Sequence, residues 1–225
     1  MKQAIILLSG GLDSATVAAL AKDQGFELIA LSFAYGQKHS VELKQAQAVA
    51  DFFKINEHKI INLETGVFLN SALTDKLAVP DYNPQETSNI PTTYVPARNI
   101  IFLSYATALA ESHTVTDIFI GANAVDYSGY PDCRPEFITA FQEMINIGTK
   151  IGLEQQLKIH TPLINLSKAD IIKKGLELGV DYSITHSCYN PDENGIACGV
   201  CDSCYYRQKG FAENNISDPI KYQNN

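Results

Sequence analysis

Apolar residues along this chain fall into short, nearly continuous runs, separated by longer stretches with helical spacing. The runs lie at 3–9 (QAIILLS), 27–34 (ELIALSFA), 58–63 (HKIINL), 117–122 (DIFIGA) and 157–163 (LKIHTPL). Runs without strict polar alternation suit strands covered on both faces, and such burial belongs to parallel sheets. Between them the spacing predicts helices at 13–24, 41–54, 98–113, 135–151 and 168–178. Alternation of this kind folds as α/β, here a doubly wound, mostly parallel five-stranded sheet, with ligands beyond the carboxyl ends of its strands. The segment RNIIFLSYATALAESH is apolar nearly all round, so it is expected to sit centrally. SKAD ahead of IIKKGLELG reads as a capping box from Ser167 to Asp170, with Gly179 as the stop. No internal repeat interrupts the pattern.

Two stretches fall outside the alternation. Residues 74–97, rich in Pro, Thr and Asn, make a loop long enough to imply function or mobility. Residues 183–225 carry four of the five cysteines and a polar end expected to fray. The expected division is an α/β domain at 1–182 and a metal-binding segment at 183–225 packed on it. At 225 residues the chain can bury a substantial core. Its net charge of −8 argues against a broad nucleic-acid-binding face. No apolar run approaches the ~18 residues of a membrane span, and the start MKQAIILLSGG lacks a cleavage pattern. The expected location is the cytoplasm, with no membrane partner.

The first candidate chemistry is SGGLDS, Ser9 to Ser14, which follows a buried run and opens a helix. Gly10 and Gly11 permit a close backbone approach, and free N–H groups of a first helical turn attract anions. Ser9 and Ser14 add hydroxyls. Asp13 is favoured by the helix dipole and is suited to a magnesium ion bridging phosphate oxygens. No lysine stands where a G-x-x-x-x-G-K-[ST] loop needs one, and G-x-G-x-x-G is absent. The motif resembles the loop of the N-type ATP pyrophosphatases, the PP-loop enzymes, which adenylate a carboxylate or carbonyl oxygen and release pyrophosphate. That resemblance implies an ATP site at Leu8, Ser9, Gly10, Gly11, Leu12, Asp13, Ser14 and Ala15.

The second is CYNPDENGIACGVCDSC, which sets Cys188 ahead of Cys198, Cys201 and Cys204 at CxxCxxC spacing. In a reducing compartment such a cluster reads as a metal site before disulfides. Four thiolates would close the shell of a structural zinc; iron–sulfur spacings overlap these. His186 is a possible replacement for one thiolate. The following YYRQKGF interleaves aromatic and basic residues, which suits either a zinc knuckle on single-stranded nucleic acid or a zinc-stapled helix. The acidic charge favours the staple.

Three further segments leave strands or enter helices on the same face. AYGQKHS supplies Tyr35, Gln37, Lys38 and His39; YVPARNI supplies Arg98 and Asn99. GANAVDYSGYPDCRPEF supplies Asn123, Asp126, Tyr127, Tyr130, Asp132 and Arg134. In combination, these motifs and the cysteines resemble one branch of the pyrophosphatases, the 7-cyano-7-deazaguanine synthases of queuosine biosynthesis. The resemblance runs from Ser9 to Cys204. It implies an ATP- and magnesium-dependent ligase that joins 7-carboxy-7-deazaguanine and ammonia, through an adenylated carboxylate and then an adenylated amide, to give the nitrile. It also implies a homodimer.

Asp13 and Ser14, with Lys168 from LSKADI and Arg98, are the candidate catalytic residues. Asp126 or Asp132 would read the base edge and Tyr127 or Tyr130 would stack on it; Tyr35, Gln37, His39, Asn123 and Arg134 complete the substrate set. Ammonia is expected from solution or a separate partner. The alternative is a transfer-RNA modification enzyme on the same loop, of thiolation or lysidine type. Thiolation would ask Cys133 to carry sulfur, and an RNA substrate would ask for a basic face.

Overall fold

The structure, a computed structural model, describes residues 2–37, 41–85, 90–123 and 129–223. Five parallel strands form one sheet in the order β3-β2-β1-β4-β5. They are β1 (Lys2–Leu7), β2 (Phe26–Ala34), β3 (Glu57–Asn62), β4 (Asp117–Phe119) and β5 (Lys158–His160). The helices are α1 (Leu12–Asp23), α2 (Val41–Phe52), α3 (Arg98–His113), α4 (Pro135–Gly148), α5 (Lys150–Gln155), α6 (Lys168–Glu177) and α7 (Asp202–Glu213). β1 pairs with β2 from Lys2↔Phe26 to Leu7↔Leu31, and with β4 at Ile5↔Ile118 and Ile6↔Phe119. The chain first builds outward through β2 and β3, then crosses to β4. The sheet therefore reverses direction between β1 and β4, where a crevice opens at the strand ends.

Burial on both faces explains the unbroken apolar runs. Ile5 and Leu7 of β1 face one core with Leu103, Ala106 and Phe141. Ala4, Ile6 and Leu8 face the other with Val17, Val49, Ile171 and Phe211. The latter core includes α7, so the cysteine-bearing end shares apolar packing with α1 and α6.

The capping box at Ser167 and Asp170 is present. Gly179, at φ +77°, ends α6 with N–H bonds from Gly179 to Leu176 and from Val180 to Gly175, a Schellman closure. Other expectations need correction. The helix at 98–113 is not surrounded: it buries Leu103, Ala106, Thr107 and Ala110, while Ile100 and Tyr105 are each 43% exposed. The helix expected at 135–151 divides at Thr149, whose hydroxyl accepts the Gly152 N–H at 3.0 Å and starts α5.

The polar end is docked as far as Gln223, whose N–H reaches Ala197 O at 2.9 Å. Its anchor is Arg207 of α7, 1% exposed, which donates to both Asp218 oxygens at 2.8 and 3.0 Å, to Thr185 Oγ1 and to Tyr182 O. The 74–97 stretch reaches the same region: Tyr82 donates its N–H to Val200 O at 2.8 Å and stacks on Tyr205. Among the described residues, no helix is long and apolar enough to cross a membrane.

The α1–α6 contact is set by Gly175. A Cβ there would overlap the Tyr182 hydroxyl, which is bonded to Thr16 Oγ1 at 2.7 Å in the buried interface. Overpacking of this kind costs about 1–3 kcal/mol. Gly175→Ala should lower the free energy of unfolding by that amount in urea titrations, and adding Tyr182→Phe should recover part of it by removing the overlapped atom.

Candidate active site and metal centre

The crevice is lined first by the turn between β1 and α1. Gly10 lies at φ +78°, and a Cβ there would stand 2.7 Å from Glu42 O in α2. Its missing side chain lets α2 press against the turn. Gly11, at φ −82°, is ordinary extended backbone, so the conformational demand falls on Gly10 alone. Helix α1 starts at Gly11 without a side-chain cap. The first-turn N–H groups of Asp13 and Ser14 have no acceptor among the described residues. Together with the dipole they form an anion site. The hydroxyls brace the turn: Ser9 Oγ donates to Ser14 Oγ at 3.1 Å, and Ser14 Oγ donates to Gly11 O at 3.0 Å. Lys168, at the start of α6, donates to both Asp13 oxygens at 2.7 and 2.9 Å.

Ser9, Gly11 and Asp13 share a cavity of about 240 Å³ with Lys168, Arg98 and Tyr35. Leu8, Leu12, Ser14 and Gln37 also border it. Gln37 closes the end of β2 by donating to Phe33 O and accepting the Tyr35 N–H at 2.8 Å. Burial works against the Arg98 charge, but Tyr35, Tyr130, Cys133 and Asp132 around it hold its pKa above the ordinary value. Gly10 turns towards α2, and Ala15 is buried in α1.

Four of the expected substrate residues lie off the cavity wall. Asn123 is buried and donates to Leu163 O and Leu166 O, tying the β4 exit to the loop after β5. Tyr130 is bonded to Thr93 Oγ1 at 2.7 Å within the core. Asp132 accepts the Asn99 N–H at 2.9 Å and so serves the N-terminus of α3. Arg134 is exposed ahead of α4. Lys38, His39, Asp126 and Tyr127 lie outside the described residues. Cys133 is buried, and burial pushes its thiol up to about 11, which suits packing and not sulfur relay.

Glu42 and Ser187 are among the cavity residues that the sequence reading did not single out. Glu42 lies on the cavity wall in the first turn of α2, and burial raises its carboxyl to about 7 against the opposing pull of Arg98. Ser187, across the turn from Leu12, accepts the Leu12 N–H at 3.2 Å. No local pattern marks a lone serine ahead of a cysteine.

Cys188, Cys198, Cys201 and Cys204 are all buried, with their sulfurs within 4.8 Å of one another. Cys188 Sγ accepts N–H bonds from Asn190 at 3.3 Å and Cys198 at 3.1 Å, and Cys198 Sγ accepts from Cys201 at 3.4 Å. Backbone donors aimed at sulfur favour thiolate, the form that ligates metal. The cluster is therefore a fit site for a metal ion, and His186 is not among its sulfur ligands.

A parallel sheet of this order, with an uncapped helix opening at its switch point, defines an α/β nucleotide-binding fold of the PP-loop kind. The NMN synthetase of Francisella tularensis shares that fold at a TM-score of 0.52 and 22% identity, over 95% of this chain and 77% of that one. The family model described as Queuosine biosynthesis protein QueC matches residues 3–215, and the chain belongs to that family. It is 58% identical over 225 residues to the 7-cyano-7-deazaguanine synthase of Desulfatibacillum aliphaticivorans, covering 98% of this chain and 97% of that protein. The protein of the same name from Paramagnetospirillum magneticum is 56% identical, over 99% of both chains.

Glu42 carries a pH signature. A carboxyl raised from 4.5 to about 7 binds its proton more tightly when folded. Its contribution to stability is thus full below pH 4.5 and lost as pH rises through 7. Glu42→Gln should match wild type near pH 4.5 and exceed it at pH 8, by on the order of 1–2 kcal/mol, in denaturant melts at the two pH values. A constant difference across that range would contradict the assignment.

Proposed function

We propose that this chain catalyses the ATP-dependent conversion of 7-carboxy-7-deazaguanine and ammonia to 7-cyano-7-deazaguanine, in queuosine biosynthesis. The observation that carries the reading is the uncapped SGGLDS turn, with Lys168 on Asp13, at the switch point of a chain that matches the synthases over nearly its whole length.

A carboxylate is a poor electrophile. Attack of its oxygen on the α-phosphate of ATP forms the acyl adenylate and expels pyrophosphate. Ammonia then adds to the carboxyl carbon and AMP leaves, giving the amide. Adenylation of the amide oxygen by a second ATP expels pyrophosphate again, and loss of both nitrogen protons with departure of AMP gives the nitrile. The protein's part is positioning and charge neutralisation. The open N–H groups of α1 take pyrophosphate oxygens. Asp13 and Lys168 hold each other in the resting site; with nucleotide, the carboxylate is placed for magnesium and the ammonium for phosphate. Magnesium, when bound, neutralises phosphate charge. Arg98, also on the cavity wall, would pair with the substrate carboxylate. With Asp132 committed to α3, Asp126 is the preferred reader of the base edge.

The four cysteines fit one zinc. Zinc–sulfur bonds of 2.3 Å put tetrahedral sulfurs about 3.8 Å apart, and Cys198 and Cys204 stand at 3.9 Å. A shell this tight surrounds a single ion, with no room for several irons. We assign it a structural role in a segment, 183–225, packed on the α/β body. A homodimer in the cytoplasm completes the proposal, and the half-exposed Ile100 and Tyr105 of α3 offer apolar surface for it.

The deciding experiment is incubation of the purified protein with ATP, magnesium, ammonium and 7-carboxy-7-deazaguanine, with products read by mass spectrometry. A nitrile that disappears without ATP or ammonium is the expected result; nucleotide cleavage without nitrile would move the substrate elsewhere. Lys168→Met should lower kcat at least about a hundredfold. Cys201→Ser should lower bound zinc and the thermal midpoint together, and a stable, metal-free variant would contradict the structural role.

A further inference from the structure

Among the described residues, the hydroxyls of Ser9, Ser14 and Ser187 stand at the phosphate turn, and Ser187 has its proton to give. Ser14 Oγ donates to Gly11 O, and Ser9 Oγ donates to Ser14 Oγ. Both protons are spent inside the turn. Ser187 approaches from the far end of the chain, half-buried on the cavity wall, and its oxygen accepts the Leu12 N–H. A hydroxyl that accepts one bond keeps its own O–H for donation, and that O–H has no acceptor among the described residues.

The placement of Ser187 is built from both sides. The neighbouring His186 N–H donates to Gly10 O at 2.9 Å, so residues 186 and 187 grip the turn at Gly10 and at Leu12. The next residue is Cys188, buried in the metal cluster, with two backbone N–H groups on its sulfur. The metal segment thus delivers a hydroxyl donor to the start of α1.

We propose that Ser187 is a phosphate-binding residue, donating its hydroxyl proton to an oxygen of the ATP triphosphate at the N-terminus of α1. The proposal rests on the ATP reading of the turn given above. One hydrogen bond from a neutral donor to a charged oxygen, made equally to bound substrate and transition state, changes KM and leaves kcat.

The test compares wild type, Ser187→Ala and Ser187→Thr. Binding of the α,β-methylene analogue of ATP with magnesium is measured by titration calorimetry, alongside steady-state kinetics, zinc content and thermal midpoint. Ser187→Ala should raise both the analogue Kd and the KM for ATP about tenfold or more. Its kcat, KM for the deazaguanine and zinc content should stay at wild-type values, the midpoint should fall only by what the lost Leu12 N–H bond costs, and Ser187→Thr should recover most of the affinity. Unchanged affinity in the alanine variant overturns the role, as does a loss that Thr fails to restore or that tracks lost zinc. A wild-type protein that binds no nucleotide overturns the ligase reading, and the Ser187 role with it.

Discussion

The first turn of α1 must stay open and yet stay still. Open N–H groups are what an anion binds, and an anion site gains its strength from donors already aimed before the ligand arrives. A side-chain cap would satisfy those donors and close the site; Gly11 supplies none. The rigidity that a cap would give comes instead from outside the helix. The backbone of α2 presses on Gly10, the Ser9 and Ser14 hydroxyls brace the turn from within, and residues 186 and 187 hold it from the end of the chain. Each brace uses a neighbour whose own position is fixed by the sheet or the metal segment, so the fold and the site depend on the same few contacts.

Charge in the cavity follows a related logic. A chain of net charge −8 does not draw polyanions by its overall field. The cavity instead holds its cations against local partners: Lys168 against Asp13, Arg98 among Tyr35, Tyr130 and Asp132. Lys168 is buried, and its two bonds to the Asp13 carboxylate aim it into the cavity. A ligand that offers phosphate to one member and magnesium to the other replaces the pair at little electrostatic cost. Glu42 is the exception, a carboxyl whose burial outweighs the pull of Arg98. Its raised value brings its change of charge close to neutral pH.

The sheet and the phosphate turn were legible in the sequence because each has a local cause. Strands buried on both faces leave unbroken apolar runs, and Gly10 stands where only a glycine tolerates the approach of α2. What escaped has no local cause. A helix after the cysteines was expected, but not that α7 buries Arg207 and Cys204 where an ordinary helix would bury leucine. The tail looked free because Asp218 and Tyr222 are polar in isolation; Asp218 pairs with that same arginine and accepts the Tyr222 hydroxyl. Asp132 read as a base-binding acid because its motif sits near the site, but the helix end it serves is set by tertiary approach. Ser187 is the sharpest case, since its role exists only in the contact with Leu12, 175 positions away.

That contact also ties the four-cysteine cluster to the phosphate turn. The segment after residue 183 has a small apolar core of its own, the cysteines with Ala197 and Tyr222. Cores of that size seldom fix a chain alone, and metals or disulfides make up the difference. Here the segment must also carry Arg207 inward with its donors met by Asp218, Thr185 and Tyr182, an arrangement that loses its balance if any partner drifts. A metal joining Cys188 to Cys198, Cys201 and Cys204 would fix the two ends of the segment at one point. Because Cys188 follows Ser187 directly, whatever holds that sulfur holds the wall of the phosphate turn as well.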